Sequence, residues 1–244
     1  MKGGFLDMGK LNRGNVTKLS IRLTENASKE IQRLSMILNL SQAGVILHSL
    51  SKILKEKPDM HELLNLEAKY DLAPKNFALT IKREVADRIN DMNVTLDMNK
   101  NIWVGLLVSD YFEKRHEQHI KDQVPPEELD RIEEELAKDE PVVKTDTTQV
   151  KIEINTELKK KIVEFSEKNY IALSGLVAYS LLNGPYEDIP EYRSGGKEDF
   201  FTNIPVYLYE DIKKKTKGLY PKEGFYYELC LYNAFMGEDP VFRL

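Results

Sequence analysis

The chain has 244 residues, 41% hydrophobic and 31% charged, with a formal net charge of −5. This balance excludes a disordered polar chain, no apolar run reaches the roughly 18 residues of a bilayer span, and Met1-Lys-Gly-Gly-Phe-Leu-Asp7 offers no apolar stretch for a signal peptide. The single cysteine, Cys230, makes neither an internal disulfide nor a zinc site alone, which suits a reducing cytoplasm.

Charge distribution says more about partners than the total does. Residues 1–56 hold nine Lys/Arg against four Asp/Glu, whereas residues 115–146 hold five against eleven. The basic excess therefore lies at the start, where Lys10 and Arg13 belong to a flexible basic arm over residues 1–15. The acidic excess surrounds Pro125 and Pro126.

In chain order, Lys18-Leu-Ser-Ile-Arg-Leu-Thr24 alternates Leu19, Ile21 and Leu23 with polar residues, the period of a half-buried strand. Ala27, Ile31, Leu34 and Leu38 then follow helical spacing. Ser41 is a good N-cap for a second helix carrying Val45, Ile46, Leu50, Ile53 and Leu54. A short linker helix near 59–70 ends at Pro74. Fifty-eight residues after the first copy the pattern returns without a gap. Phe77, Leu79 and Ile81 form the strand face, and Val85, Ile89, Met92 and Leu96 the first helix. Asn99 is the cap, and Trp103, Val104, Val108, Tyr111 and Phe112 form the second helix.

Residues 123–146 then read as an acidic, Pro-containing linker with a helix. After them, 131 residues from the first copy, Val150, Ile152 and Ile154 open a third copy. Its helices carry Leu158, Ile162 and Phe165, then Leu176, Val177 and Leu181, and its cap position holds the weaker Ala172. A loop near 183–199 precedes a degenerate fourth copy. There Ile204, Val206 and Leu208 are expected to alternate in a strand containing Pro205, which would confine that strand to an edge. Repeats are the first thing to seek in a sequence, and three gapless matches over some 35 residues make this one hard to dismiss.

The repeat resembles the ribbon-helix-helix (Arc/Met repressor-like) DNA-binding family. Lys18-Leu-Ser-Ile-Arg-Leu-Thr-Glu25 and Leu40-Ser-Gln-Ala43 carry the likeness most closely. The resemblance implies a mainly α fold with short β ribbons, in which tandem units pair within the chain into two pseudo-dimeric domains. Copies one and two would occupy 16–122, and copies three and four 147–244. One strand and two helices cannot close a core, so each unit needs a partner. Pairing within the chain is favoured by effective concentration, which would set residues 18–23 antiparallel to residues 76–81.

Such a ribbon fits the major groove, where outward side chains read bases and the start of the second helix meets a phosphate. Carried over, the base-contacting residues would be Lys18, Ser20 and Arg22 with Asn76, Ala78 and Thr80. Phosphate contacts would come from Ser41, Gln42, Asn99 and Lys100, with Lys10 and Arg13 from the arm. Copies three and four offer the weaker set Gln149, Lys151, Asn203 and Tyr207, with Glu153 and Pro205 as departures. The expected function is sequence-specific binding of double-stranded DNA, as a transcriptional repressor. Alternatives are a plasmid or phage accessory factor, or a protein-binding module that kept the fold without binding DNA.

No Gly-rich phosphate loop, paired carboxylate motif or metal spacing argues for an enzyme, a cofactor or a small-molecule ligand. His116 and His119 have the i, i+3 spacing of a metal pair but read as surface residues of an extended helix. Cys230 and Tyr226, Tyr227 and Tyr232 read as core or interface. Copies three and four are expected to mediate self-association or hold a protein partner.

Overall fold

A computed structural model describes residues 15–55, 57–93, 98–138, 145–184, 195–218, 223–238 and 240–242. It is mainly helical, with two small antiparallel two-stranded sheets. The first sheet pairs β1 (Val16–Arg22) with β2 (Asn76–Lys82). Between them run α1 (Glu25–Ile37), α2 (Gln42–Ile53) and α3 (Met60–Lys69), and after them α4 (Arg83–Asn93) and α5 (Lys100–Glu113). The second sheet pairs β3 (Thr147–Asn155) with β4 (Lys197–Pro205). It follows α6 (Gln118–Lys121) and α7 (Pro126–Leu136), encloses α8 (Thr156–Asn169) and α9 (Leu173–Asn183), and is followed by α10 (Val206–Thr216) and α11 (Glu223–Met236).

Local chemistry explains these boundaries. Thr24 caps α1 by accepting the Ala27 N–H, and Ser41 caps α2 by accepting that of Gly44 at 3.0 Å. Each cap satisfies one of the four N–H groups a helix start leaves without a backbone partner. Helix α1 ends with Asn39 at φ 48°, and α8 ends with Tyr170 at φ 58°. These two left-handed residues stand 131 positions apart, the shift that superposes copy three on copy one, so the repeat holds at the turn as well as in the apolar stripe.

The fourth copy differs from the sequence reading. Its strand ends at Pro205 and its inward residues are Phe200, Thr202 and Ile204. Val206 and Leu208 lie in helix α10, with Leu208 and Ile212 buried one turn apart. Pro205 is the N-cap of α10, a place where a missing N–H costs little. The polar start Lys197-Glu-Asp199 hides this strand from an apolar alternation test.

The inward faces of both ribbons join one continuous core. Leu19, Ile21, Leu79 and Ile81 belong to the same buried cluster as Val150, Ile152, Phe200 and Ile204. A buried polar hub lies within it. The Glu117 carboxylate accepts from Lys52 of α2 at 3.0 Å, from the Tyr111 hydroxyl of α5, and from the Tyr179 hydroxyl of α9 at 2.8 Å. His48 packs beside it between Tyr179 and Phe242, with ring centroids 4.3 and 5.4 Å away. Burial opposes the Glu117 charge, but the Lys52 ammonium, the neighbouring His48 and the two phenols outweigh it and hold the carboxyl at about 2. Burial, and then Lys52, push His48 down to about 3, so its ring is neutral in the core. Cys230 is buried, its thiol pushed up to about 12 by desolvation, as expected of a small core residue. No single described helix is long and apolar enough to cross a membrane.

Candidate nucleic-acid interface

In the first ribbon Lys18 lies opposite Thr80, Ser20 opposite Ala78, and Arg22 opposite Asn76. All six face away from the core, because their neighbours Leu19, Ile21, Leu79 and Ile81 face into it. Neighbouring residues on a strand point to opposite sides, so this burial settles the outward set. Val16 and Lys82 extend the same face at one end. The face thus carries Lys18, Arg22 and Lys82 and no carboxylate. Lys18 Nζ donates to Thr80 Oγ1 at 2.7 Å, which holds the ammonium over the ribbon. Lys82 Nζ sits 5.7 Å from the Tyr170 ring centroid. Arg22 is exposed, and among the described residues its side chain has no hydrogen bond or ion pair.

Two helix starts flank the ribbon. Helix α2 packs along β2 and α5 along β1. The first turns of both lack acidic residues. Ser41 Oγ is taken by the Gly44 N–H, which leaves the N–H groups of Gln42 and Ala43 facing outward along the helix axis. Asn99 caps α5 through the Asn101 N–H at 2.9 Å, and the exposed Lys100 Nζ donates to Asn90 Oδ1 at 3.1 Å. A groove beside the ribbon is lined by Lys18, Thr80, Ser41, Gly44, Tyr170 and Ala172. Another, on the β1 side, is lined by Thr17, Lys18, Arg83, Asp87, Asn90 and Lys100. The positive end of a helix dipole beside a lysine is favourable for an anion. Gly105 sets the close approach of α5: a Cβ there would come within 1.9 Å of the Arg22 carbonyl oxygen.

The second ribbon is built alike and charged differently. Gln149 lies opposite Asn203, Lys151 opposite Phe201, and Glu153 opposite Asp199. Lys151 pairs with Asp199 at 3.0 Å. Phe201 is 44% exposed at the middle of the face. The outward residues of β4 are therefore Asp199, Phe201 and Asn203, not the Asn203, Pro205 and Tyr207 expected from sequence. Tyr207 is half-buried in α10, where its hydroxyl donates to the Ile37 carbonyl at 2.8 Å. The helix starts beside this ribbon suit an anion poorly. Helix α9 has no side-chain cap, and its Gly175 is pressed against Leu40, where a Cβ would lie 2.1 Å from Cδ2. Helix α11 carries Glu223 in its first turn.

Lys10 and Arg13 lie outside the described residues. His116 stacks on Tyr111, while His119 Nε2 lies 3.3 Å from the Tyr179 hydroxyl. Among the described residues no group of three or more His, Cys, Asp or Glu is placed to hold a metal ion. Comparison of the chain with protein-family models, with curated proteins and with solved structures gives no match, so the interface rests on its own geometry.

Proposed function

We propose that the chain is a sequence-specific double-stranded DNA-binding protein of ribbon-helix-helix type, acting as a transcriptional repressor. One observation carries this reading: a two-stranded antiparallel ribbon whose outward face holds Lys18, Ser20 and Arg22 against Thr80, Ala78 and Asn76, flanked by two helix starts free of acidic residues. A ribbon of this width fits the major groove. Lys and Arg suit guanine N7 and O6, Asn suits adenine, and the methyl groups of Ala and Thr suit that of thymine. The starts of α2 and α5, with Lys100, would grip phosphates on either side and fix the register. The two strands of the ribbon differ in sequence, so the preferred site is not a palindrome. The second ribbon, with its Lys151–Asp199 pair and exposed Phe201, supports a protein-facing role rather than a second reading head.

Selection of bound duplexes from a random library, followed by gel shifts at fixed salt, tests the reading. It expects one asymmetric preferred site and affinity that falls steeply as salt rises. Failure to enrich any sequence, with no retardation of duplex DNA at low salt, would overturn it.

A further inference from the structure

The turn between α1 and α2 is held from the far half of the chain. Helix α1 ends in a tight reversal: the Asn39 N–H donates to the Met36 carbonyl at 3.3 Å and the Leu40 N–H to that of Ser35 at 3.0 Å, around the left-handed Asn39. This pattern satisfies two of the carbonyls that a helix end leaves open. Two further carbonyl contacts come from more than 100 residues away. Thr145 Oγ1 donates to Met36 O at 2.7 Å, and the Tyr207 hydroxyl donates to Ile37 O at 2.8 Å. Gly175 of α9 meets the next part of the turn, its missing Cβ leaving room for the Leu40 side chain. Three contacts from three separate places in the second half, the approach to β3, α9 and α10, thus converge on residues 36–40. Across this short turn the chain bends by 105° from α1 to α2. It then delivers Ser41 and the first turn of α2 to the groove shared with Lys18 and Thr80.

We infer that the second half is a brace for the DNA-facing surface, and that Thr145, Gly175 and Tyr207 are positioning residues for the start of α2. None of the three is a residue of the first ribbon or of its outward face. They act through the α1–α2 turn, whose carbonyl directions and bend set where the Gln42 and Ala43 N–H groups point. The inference rests on the DNA reading above and adds a role for the half whose own ribbon is poor in cations. It also gives Tyr207 a function other than reading a base.

The test uses the full chain carrying Thr145→Val and Tyr207→Phe together, which removes both donors with little change in shape. Amide hydrogen exchange should quicken by about threefold to tenfold over residues 39–45 and stay unchanged in β1, β2, β3 and β4. Affinity for the selected duplex should fall by a similar factor for all sequences alike, with the base preference kept. Gly175→Ala should act in the same direction, because its Cβ displaces Leu40. Unchanged exchange over 39–45, or a rise spread evenly into β3 and β4, overturns the brace. Local quickening with undiminished affinity overturns its role in binding. If the unaltered chain binds no duplex, the DNA reading fails, and the brace is left without a clamp to position.

Discussion

The two ribbons share a backbone plan and part company in their outward faces. The first sets Lys18, Arg22 and Lys82 on its face without a carboxylate, and the second pairs Lys151 with Asp199 and adds Glu153 opposite Asp199. Their flanks diverge in the same sense: helix starts without acids around the first, a glycine pressed on Leu40 and Glu223 around the second. Backbone pairing and inward residues alone do not make a groove reader. On the proposed reading, a strand pair becomes one when its outward side chains and its neighbouring helix ends agree in charge. The contrast also shows what a repeat inside one chain allows, since one ribbon can keep a surface while the other keeps only the core.

The largest effect should come from the hub, which decides whether the two ribbons belong to one cooperative body. Glu117→Leu leaves Lys52, Tyr111 and Tyr179 without their shared acceptor, and breaking a buried ionic contact from one side costs about 3–5 kcal/mol. Thermal unfolding followed by Trp103 fluorescence in the first half and by exchange in β3 should fall together in one transition. Two separate transitions would make the ribbons independent. Acid should act in the same direction as the mutation. His48 is held at about 3 against an ordinary 6.5, so the unfolded chain takes up a proton that the folded chain refuses as pH falls from 6.5 towards 3. Glu117, held at about 2 against 4.5, adds a second loss as pH falls from 4.5 towards 2. His48→Gln should flatten the upper limb between pH 6.5 and 4.5, and an unaltered slope there would remove His48 from the account.

The next effect separates the two faces directly. Arg22→Ala should weaken binding of the selected duplex by about 1–3 kcal/mol and relax preference at one base pair. Lys151→Ala, at the middle of the second ribbon's outward face opposite Phe201, should change affinity by less than about 0.5 kcal/mol, the range of an uninvolved surface residue. Equal losses in the two variants, measured by titration at one salt concentration, would erase the distinction.

Much of this surface was legible in the sequence, for a physical reason. Inward residues such as Leu19, Ile21, Leu79 and Ile81 alternate with outward ones, and an apolar alternation fixes which side chains share a face. The caps Ser41 and Asn99 were readable because a helix start needs a side-chain acceptor at a fixed offset. The β4 register was not. Lys197-Glu-Asp199 carries no apolar signal, and Pro205 serves as the cap of α10 where alternation placed it inside a strand. The hub was invisible because His48, Lys52, Tyr111, Glu117 and Tyr179 meet only in three dimensions: the two tyrosines read locally as parts of apolar helix stripes, and the three ionisable residues carry no spacing that links them. Tyr207 illustrates both failures, since a shifted register put it on the ribbon while a long-range hydrogen bond gives it its place.

The smallest effect tests whether the flanking helix starts hold DNA without reading it. Lys100 is exposed at the first position of α5, one residue after the Asn99 cap, with its ammonium 3.1 Å from Asn90 Oδ1. That contact is weak enough to yield to a phosphate, because a surface amide offers an ammonium little that water does not. A lysine that neutralises one phosphate releases about one condensed counterion. Lys100→Ala should therefore lower the slope of log affinity against log salt by about 0.9. The loss at moderate salt should be below about 1 kcal/mol and equal for preferred and unrelated duplexes, since a phosphate carries no base identity. Glu223→Gln, the analogous helix start beside the second ribbon, should leave both slope and affinity unchanged if no phosphate comes near it. A Lys100 variant whose loss depends on sequence would place that side chain in the groove. A Glu223 variant that gains affinity would bring DNA to the second ribbon, and the two faces would then share one task.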